Sequence, residues 1–160
     1  MAAKKNPKGI EILLVEDNIG DIELAKEAFQ DADIQSRISM VRDGEEALDF
    51  LYQRGQYRDS PRPELVLMDL NMPRKNGLDV LSIIKEDSCL KDIPVIILTS
   101  SESDHDISSS YKLHANAYIV KPSDLSDYVT LVNGIKNFWV DIAKLPPRQR
   151  TTPLKSGAFL

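Results

Sequence analysis

Cysteine is nearly absent from this 160-residue chain, where Cys89 stands alone. A single thiol has no partner in its own chain, so no internal disulfide framework exists and no oxidising compartment is required. No apolar run approaches the roughly 20 residues that a membrane-spanning helix needs. The first residues, Met1-Ala2-Ala3-Lys4-Lys5-Asn6-Pro7, lack the apolar segment of a secretory leader. Positive charge is in deficit: 20 Lys and Arg face 25 Asp and Glu, a formal net charge of −5. That deficit argues against a nucleic-acid coat or a binder of anionic membranes. The two histidines, His105 and His114, lack further ligands at helical spacing, so both are expected at the surface and not on a metal. The expectation is a cytoplasmic chain with neither DNA nor membrane among its partners.

What is present is an ordinary globular composition, 42% apolar and 28% charged, at a length that predicts about one domain. Short apolar runs alternate with helical patterns. Ile10–Val15 predicts a strand with one polar exception, Glu11. Ile19–Ala32 carries Ile22, Ala25, Phe29 and Ala32 at three- to four-residue spacing, a helix signature. Arg37–Arg42, Leu65–Met68, Val95–Leu98 and Ala117–Val120 predict further strands. Glu45–Arg54, Gly77–Asp87, a serine-rich Asp104–Leu113 and a long Asp124–Ala143 predict helices. Gly55–Pro63 reads as an extended loop. Alternation of strand and helix predicts an α/β fold, a doubly wound five-stranded parallel sheet with helices on both faces. In such folds ligands bind beyond the carboxyl ends of the strands, where strand order reverses.

Those strand ends carry chemistry. The first strand ends in Glu16-Asp17, the third in Asp69, the fourth in Thr99-Ser100-Ser101 and the fifth in Lys121-Pro122. With strand order 2-1-3-4-5, Glu16, Asp17 and Asp69 converge on one small site. Carboxylates crowded together raise one another's pKa unless a cation compensates. Hard oxygen donors suit Mg²⁺, which also accepts phosphate oxygens. Lys121 adds an ammonium and Thr99 a hydroxyl donor. The set suits a phosphoryl group carried on a carboxylate, because carboxylates act as nucleophiles toward phosphorus. Any one of these residues alone reads as a solvated acid, a surface lysine or a helix cap; the joint placement is the signal.

With these motifs the chain resembles the receiver domain of two-component response regulators, which has the flavodoxin-like fold of the chemotaxis regulator. The resemblance covers residues 9–144 and rests on Glu16-Asp17, Asp69-Leu70-Asn71-Met72-Pro73 with Gly77, Thr99, and Lys121-Pro122. It implies that Asp69 is the phosphoacceptor. It implies that Asp17, Asp69 and the Asn71 main-chain carbonyl hold Mg²⁺, with Glu16 acting through a bound water. Thr99 and Lys121 would contact phosphoryl oxygens. Tyr118 would be an aromatic switch coupled to Thr99, the weak Asp104–Leu113 helix between them a two-state element, and the Lys121–Pro122 bond cis. By the same resemblance, Asn71 and Ser101 would flank the path of the hydrolytic water, and both are small and polar, so neither blocks it outright. The segments Val15-Glu16-Asp17-Asn18 and Gly20-Asp21, with the Gly55–Pro63 loop, also resemble the small regulators of cyanobacterial phytochrome histidine kinases. A sensor histidine kinase is then the implied partner. The resemblance makes the chain no enzyme beyond its own phosphoryl acceptance and dephosphorylation.

Outside residues 9–144 lie a short segment, 1–8, and a basic tail, 145–160, with Arg148, Arg150 and Lys155 and no acid. The tail is too short for an effector domain, since domains below about 40 residues need staples. It reads as a loosely docked end or a partner-docking arm, and output is expected through the receiver surface. At 100° per residue, Leu125, Tyr128, Val129, Val132, Ile135 and Trp139 form a stripe facing the sheet. Leu131, Phe138 and Ile142 form a second stripe a quarter turn away, which predicts a homodimer interface unless the tail folds back over it.

Other aspartate chemistries fit less well. A dehalogenase-type phosphatase wants a second acid where Asn71 stands. A flavodoxin wants a hydroxyl- and glycine-rich phosphate loop, and Glu16-Asp17 would repel a flavin phosphate. An EF-hand from Asp69 fails at Pro73, Arg74 and Val80. The remaining alternative is a receiver-like scaffold that binds partners without being phosphorylated.

Overall fold

Ile10–Val15 forms β1, and all six residues are buried. Glu11 is tolerated there because its carboxylate pairs with Arg37 at 3.5 Å. A strand covered on both faces reads as a nearly continuous apolar run, and β3 (Leu65–Met68) and β4 (Val95–Thr99) follow the same rule. The remaining strands are β2 (Ser36–Val41) and β5 (Ala117–Val120). Between them run α1 (Ile19–Asp31), α2 (Gly44–Leu51), α3 (Gly77–Glu86) and α4 (Asp104–Lys112), and α5 (Leu125–Ile135) comes last. This is a computed structural model, which describes residues 9–32 and 36–147. The segment 1–8 and the basic residues of the tail lie outside them.

The sheet is wholly parallel in the order β2-β1-β3-β4-β5, as expected. The chain leaves β1 toward one edge and returns to β3 on the other side, so β1 and β3 flank the switch point. Side-chain alternation splits the core in two. Leu13, Val15, Val66, Met68, Val95 and Ile97 pack with α2 and α3 on one face. Ile12, Leu14, Leu65, Leu67, Ile96 and Leu98 pack on the other with Ala25 and Phe29 of α1 and Tyr128, Val132 and Ile135 of α5. Each fully buried aliphatic side chain contributes about 1.5–3 kcal/mol.

Each of the five α-helices among the described residues begins on a side-chain cap. Asn18, Asp43, Asn76, Ser103 and Asp124 each accept the main-chain N–H three residues on, worth about 1 kcal/mol apiece. The β1–α1, β3–α3, β4–α4 and β5–α5 turns are therefore fixed where the strand-end residues emerge. By contrast the serine-rich α4 is thinly buried. Ser110 is its one buried residue, and the hydroxyl donates to the Asp106 carbonyl at 2.8 Å.

Five expectations are corrected. The Gly55–Pro63 loop contains a 3₁₀ turn at Gly55–Tyr57 and is tied down by bonds such as Gln53 Nε2 to the Ser60 carbonyl at 2.7 Å. The Lys121–Pro122 bond is trans: no cis peptide occurs among the described residues. Trans is the ordinary preference by about 0.5–1 kcal/mol, and Lys121 reaches its acidic partners without cis geometry. The last helix is not one α-helix: beyond Ile135, Lys136–Ile142 winds as a π-helix, next to the poor helix former Gly134. Trp139, Phe138 and Ile142 beyond the join nevertheless lie on the sides the 100° projection gives them. Leu131, within α5 itself, packs on the α1-side core, as do Trp139 and Val140, while Phe138 and Ile142 stay outside, 51% and 71% exposed. Leu131 is thus not part of an exposed stripe. Leu125, projected to face the sheet, is instead exposed, because it opens the first turn of α5.

Leu145 packs on the α1-side core, and Pro146 and Pro147 line a small cavity with Arg62, Pro63, Ile93 and Pro94 at the amino ends of β3 and β4. The tail residues Arg148, Arg150 and Lys155 belong to the undescribed end, and the expectation of a docking arm falls there.

Candidate functional site

Sheet parity sends Glu16, Asp69 and Lys121 to one side. Glu16 follows Leu14 by two residues, Asp69 follows Leu67, and Lys121 follows Ile119; all three predecessors lie on the α1–α5 face. Glu16 and Asp69 are buried at 2% and 5% exposure, and Asp17 is half-buried. One oxygen from each of Glu16, Asp17 and Asp69 lies within 4.8 Å of the others. Lys121 Nζ enters this group, 2.7 Å from Glu16 Oε1 and 2.8 Å from Asp69 Oδ2. Its remaining proton meets Asp21 Oδ2 at 2.8 Å.

The main chain holds the acids in place. The Asn18 N–H donates to Glu16 Oε2 at 3.2 Å, and the Asn71 N–H to Asp69 Oδ1 at 3.3 Å. Arg42 Nη2 donates to the Asp17 carbonyl at 3.1 Å. Gly77 lets the first turn of α3 press onto the end of β3: a β-carbon there would overlap the Asp69 carbonyl oxygen and crowd Leu70 Cα. This is the physical need behind a glycine eight residues after Asp69.

Three carboxylates, Glu16, Asp21 and Asp69, pair with one ammonium, and a fourth, Asp17, lies beside Glu16 and Asp69. Burial pushes the Glu16 carboxyl up to about 7; Lys121 opposes that rise, and the Asp69 charge adds to it. Burial lowers the Lys121 pKa, but hydrogen bonds to Asp21, Asp69 and Glu16 outweigh it and hold the ammonium charged above its ordinary value. Tyr128, buried beneath, is raised by burial and then by the Glu16 charge, so its phenol stays neutral. The site remains short of positive charge. Three hard oxygen donors within reach of one another, with half-buried Asp17 giving access, fit a divalent cation.

Thr99 and Tyr118, the residues expected to act as a switch, lie on the adjacent strands β4 and β5. Thr99 closes β4, is fully buried, and its Oγ1 accepts the Ser101 N–H at 3.5 Å. Tyr118 is half-buried; its hydroxyl donates to the Ser101 carbonyl at 2.9 Å, and its N–H donates to the Tyr111 hydroxyl at 3.1 Å. Ser101 Oγ in turn donates to Asp106 Oδ2 at 2.6 Å. A continuous set of bonds thus joins the end of β4, α4 and β5. Asn71 is exposed on the loop after Asp69, and His105 and His114 are exposed as expected.

Sequence reasoning gathered Glu16, Asp17, Asp69 and Lys121 correctly but gave Asp21 no role. The available signal was its place three residues after the Asn18 cap, on the turn of α1 nearest the end of β1.

A model of the response regulator receiver domain matches residues 12–133. The chain is 43% identical over 146 residues to response regulator Rcp1 of Synechocystis sp., covering 91% of this chain and 99% of that protein. Among solved structures, the Mn(2+)-bound form of Rcp1 superposes with a TM-score of 0.81 at 43% identity, covering 86% of this chain and 99% of that one. The phosphorylated cyanobacterial phytochrome response regulator RcpA gives a TM-score of 0.82 at 45% identity, covering 87% and 99%.

Proposed function

This chain belongs to the response regulator receiver family, related to the phytochrome response regulators, and from that premise we propose that Asp69 accepts a phosphoryl group from the phosphohistidine of a sensor kinase. The observation that carries this reading is the convergence of Glu16, Asp17 and Asp69 within 4.8 Å, with Lys121 Nζ 2.8 Å from Asp69 Oδ2. An oxygen of Asp69 bonds to phosphorus as the P–N bond breaks, and the departing imidazole keeps the electron pair. Asp69 is positioned for attack by its N–H from Asn71 and its contact with Lys121. The Lys121 ammonium and the Thr99 hydroxyl neutralise and bond the phosphoryl oxygens, which is most of what a protein contributes to phosphoryl transfer. Glu16, Asp17 and Asp69, with the Asn71 carbonyl, would hold Mg²⁺. When bound, that ion supplies the missing positive charge at the phosphoryl oxygens. The Mn(2+)-bound Rcp1 supports a divalent ion in this position, and the phosphorylated RcpA supports the acceptor chemistry.

The partner proposed is a phytochrome histidine kinase, on the likeness to RcpA. Thr99 and Tyr118 act as the switch through their shared contact, Ser101. No helix among the described residues is long and apolar enough to cross a membrane, which agrees with a cytoplasmic site of action. Phe138 and Ile142, stacked outward on the π-helical turn with Phe138 edge-on to Trp139 at 5.1 Å, support a homodimer through this end of the chain. The alternative, a scaffold binding partners constitutively, has the same exposed pair in its favour.

Intact mass after treatment with acetyl phosphate, in Mg²⁺ or in EDTA, tests the reading on wild type and Asp69→Asn. The expected result is a gain of one phosphoryl group that needs Mg²⁺ and is lost in the variant. No gain under any condition would favour the constitutive scaffold. Solution mass at high concentration tests the dimer, which a monomer for both the free and the phosphorylated chain would exclude.

A further inference from the structure

The Lys121 ammonium has three protons and three carboxylate acceptors: Glu16 at 2.7 Å, Asp69 at 2.8 Å and Asp21 at 2.8 Å. Two of these acceptors change character during the proposed reaction. Asp69 becomes an acyl phosphate, and Glu16 belongs with Asp17 and Asp69 to the group of oxygens that would hold the ion. Asp21 belongs to neither set. It stands on the first turn of α1, its own N–H bonded to the Asn18 cap at 2.9 Å, and its side chain is three-quarters buried. Its carboxylate is therefore a fixed acceptor, anchored to a capped helix end, while the other two are occupied by the chemistry.

We infer that Asp21 is a positioning residue for phosphoryl acceptance: its hydrogen bond holds the Lys121 ammonium over Asp69, leaving the other two N–H groups free to turn to the phosphoryl oxygens. A lysine side chain is a flexible four-carbon stem whose charge is not oriented by itself. Charge-assisted hydrogen bonds to a fixed carboxylate remove that freedom. The geometry also separates two effects of opposite sign. As a negative charge, Asp21 repels an incoming phosphoryl dianion, so losing the charge alone favours the donor. As a hydrogen-bond acceptor, Asp21 keeps Lys121 in place, so losing the bond disfavours the donor.

The inference rests on Asp69 being the acceptor, and the test keeps the two claims apart. Initial rates of phosphoryl gain from acetyl phosphate are measured by intact mass against donor concentration, at saturating Mg²⁺. The proteins are wild type, Asp69→Asn, Asp21→Asn and Asp21→Ala. Asparagine and alanine are equally uncharged, but only asparagine offers Lys121 an acceptor. Alanine is the best helix former, so α1 is expected to keep its fold, and thermal melting of each variant checks this. The expected result is a half-saturating donor concentration for Asp21→Asn at or below the wild-type value. For Asp21→Ala it should be about tenfold above that of Asp21→Asn, the size expected for one hydrogen bond to a charged group. Identical curves for the two Asp21 variants would overturn the inference, whether they match wild type or shift together. A purely structural role would lower the melting temperature without separating them. Failure of wild type to gain mass would overturn the acceptor reading itself.

Discussion

The Tyr118 hydroxyl donates to the Ser101 carbonyl at 2.9 Å, fastening an aromatic of β5 to the loop that leaves Thr99 at the end of β4. Between these two residues in sequence lies α4, which buries only Ser110.

Tyr118→Phe removes that one bond and keeps the ring. The loop and α4 should loosen together, because Ser101 also donates to Asp106 of α4 at 2.6 Å. Hydrogen exchange at Asp104–Lys112 is expected to quicken about fivefold, the equivalent of a net hydrogen bond near 1 kcal/mol. Unchanged protection would show that α4 is held independently of Tyr118.

Lys121→Met strips the sole ammonium from a buried acidic group. Breaking a buried pair by removing one partner costs about 3–5 kcal/mol. The acids left behind differ from an ordinary broken pair, since a divalent ion can take the place of the lost charge. The melting temperature should fall markedly in EDTA and recover in part on adding millimolar Mg²⁺, more than wild type gains. Equal Mg²⁺ responses in the two proteins would contradict the compensation argued for this site.

Gly77→Ala places a methyl group into the Asp69 carbonyl oxygen and Leu70 Cα. Backbone cannot yield as a flexible side chain does, so the end of β3 must shift. Overpacking of this kind costs about 1–3 kcal/mol. Chemical denaturation should show that loss, together with weaker Mg²⁺ binding by titration calorimetry, because Asp69 moves with its own main chain. A stable variant with native ion affinity would mean that α3 can retreat freely.

Glu16 supplies a pH dependence. Its carboxyl is raised by burial from 4.5 to about 7. A raised folded-state pKa means that the native chain binds the proton more tightly than the unfolded one. The contribution of Glu16 to stability is then fully present below pH 4.5 and lost as pH climbs toward 7. Metal binding runs in the opposite sense, since the ion needs the ionised carboxylate. In titrations, Mg²⁺ affinity should rise between pH 6 and pH 8, centred near the Glu16 value of about 7, and then level off. Glu16→Gln should flatten this rise.

The parallel sheet and its strand order were legible because β1, β3 and β4 are covered on both faces and appear as plain apolar runs. The acid group was legible because strand ends in a doubly wound sheet share one rim. Asp21 escaped because Lys121 lies 100 residues further along the chain, and no periodicity records the reach of a lysine side chain. The exposed stripe on the last helix was overdrawn for a different reason. A helical projection places Leu131 a quarter turn from the buried face but does not show how wide that face is, and Leu131 packs at its edge while Phe138 and Ile142 stay outside.

The two-sided core has one last consequence. Glu16, Asp69 and Lys121 project with the α1–α5 layer, whereas Tyr118 packs with the layer of α2 and α3. On the proposed reading, the sheet separates the side of Glu16, Asp69 and Lys121 from the side on which Tyr118 would be read by partners, with Asp17 and Thr99 at the rim between them. Substitutions on the Tyr118 side could then accumulate as partners change while the acidic group is left untouched. One phosphoryl chemistry would thereby serve many listeners.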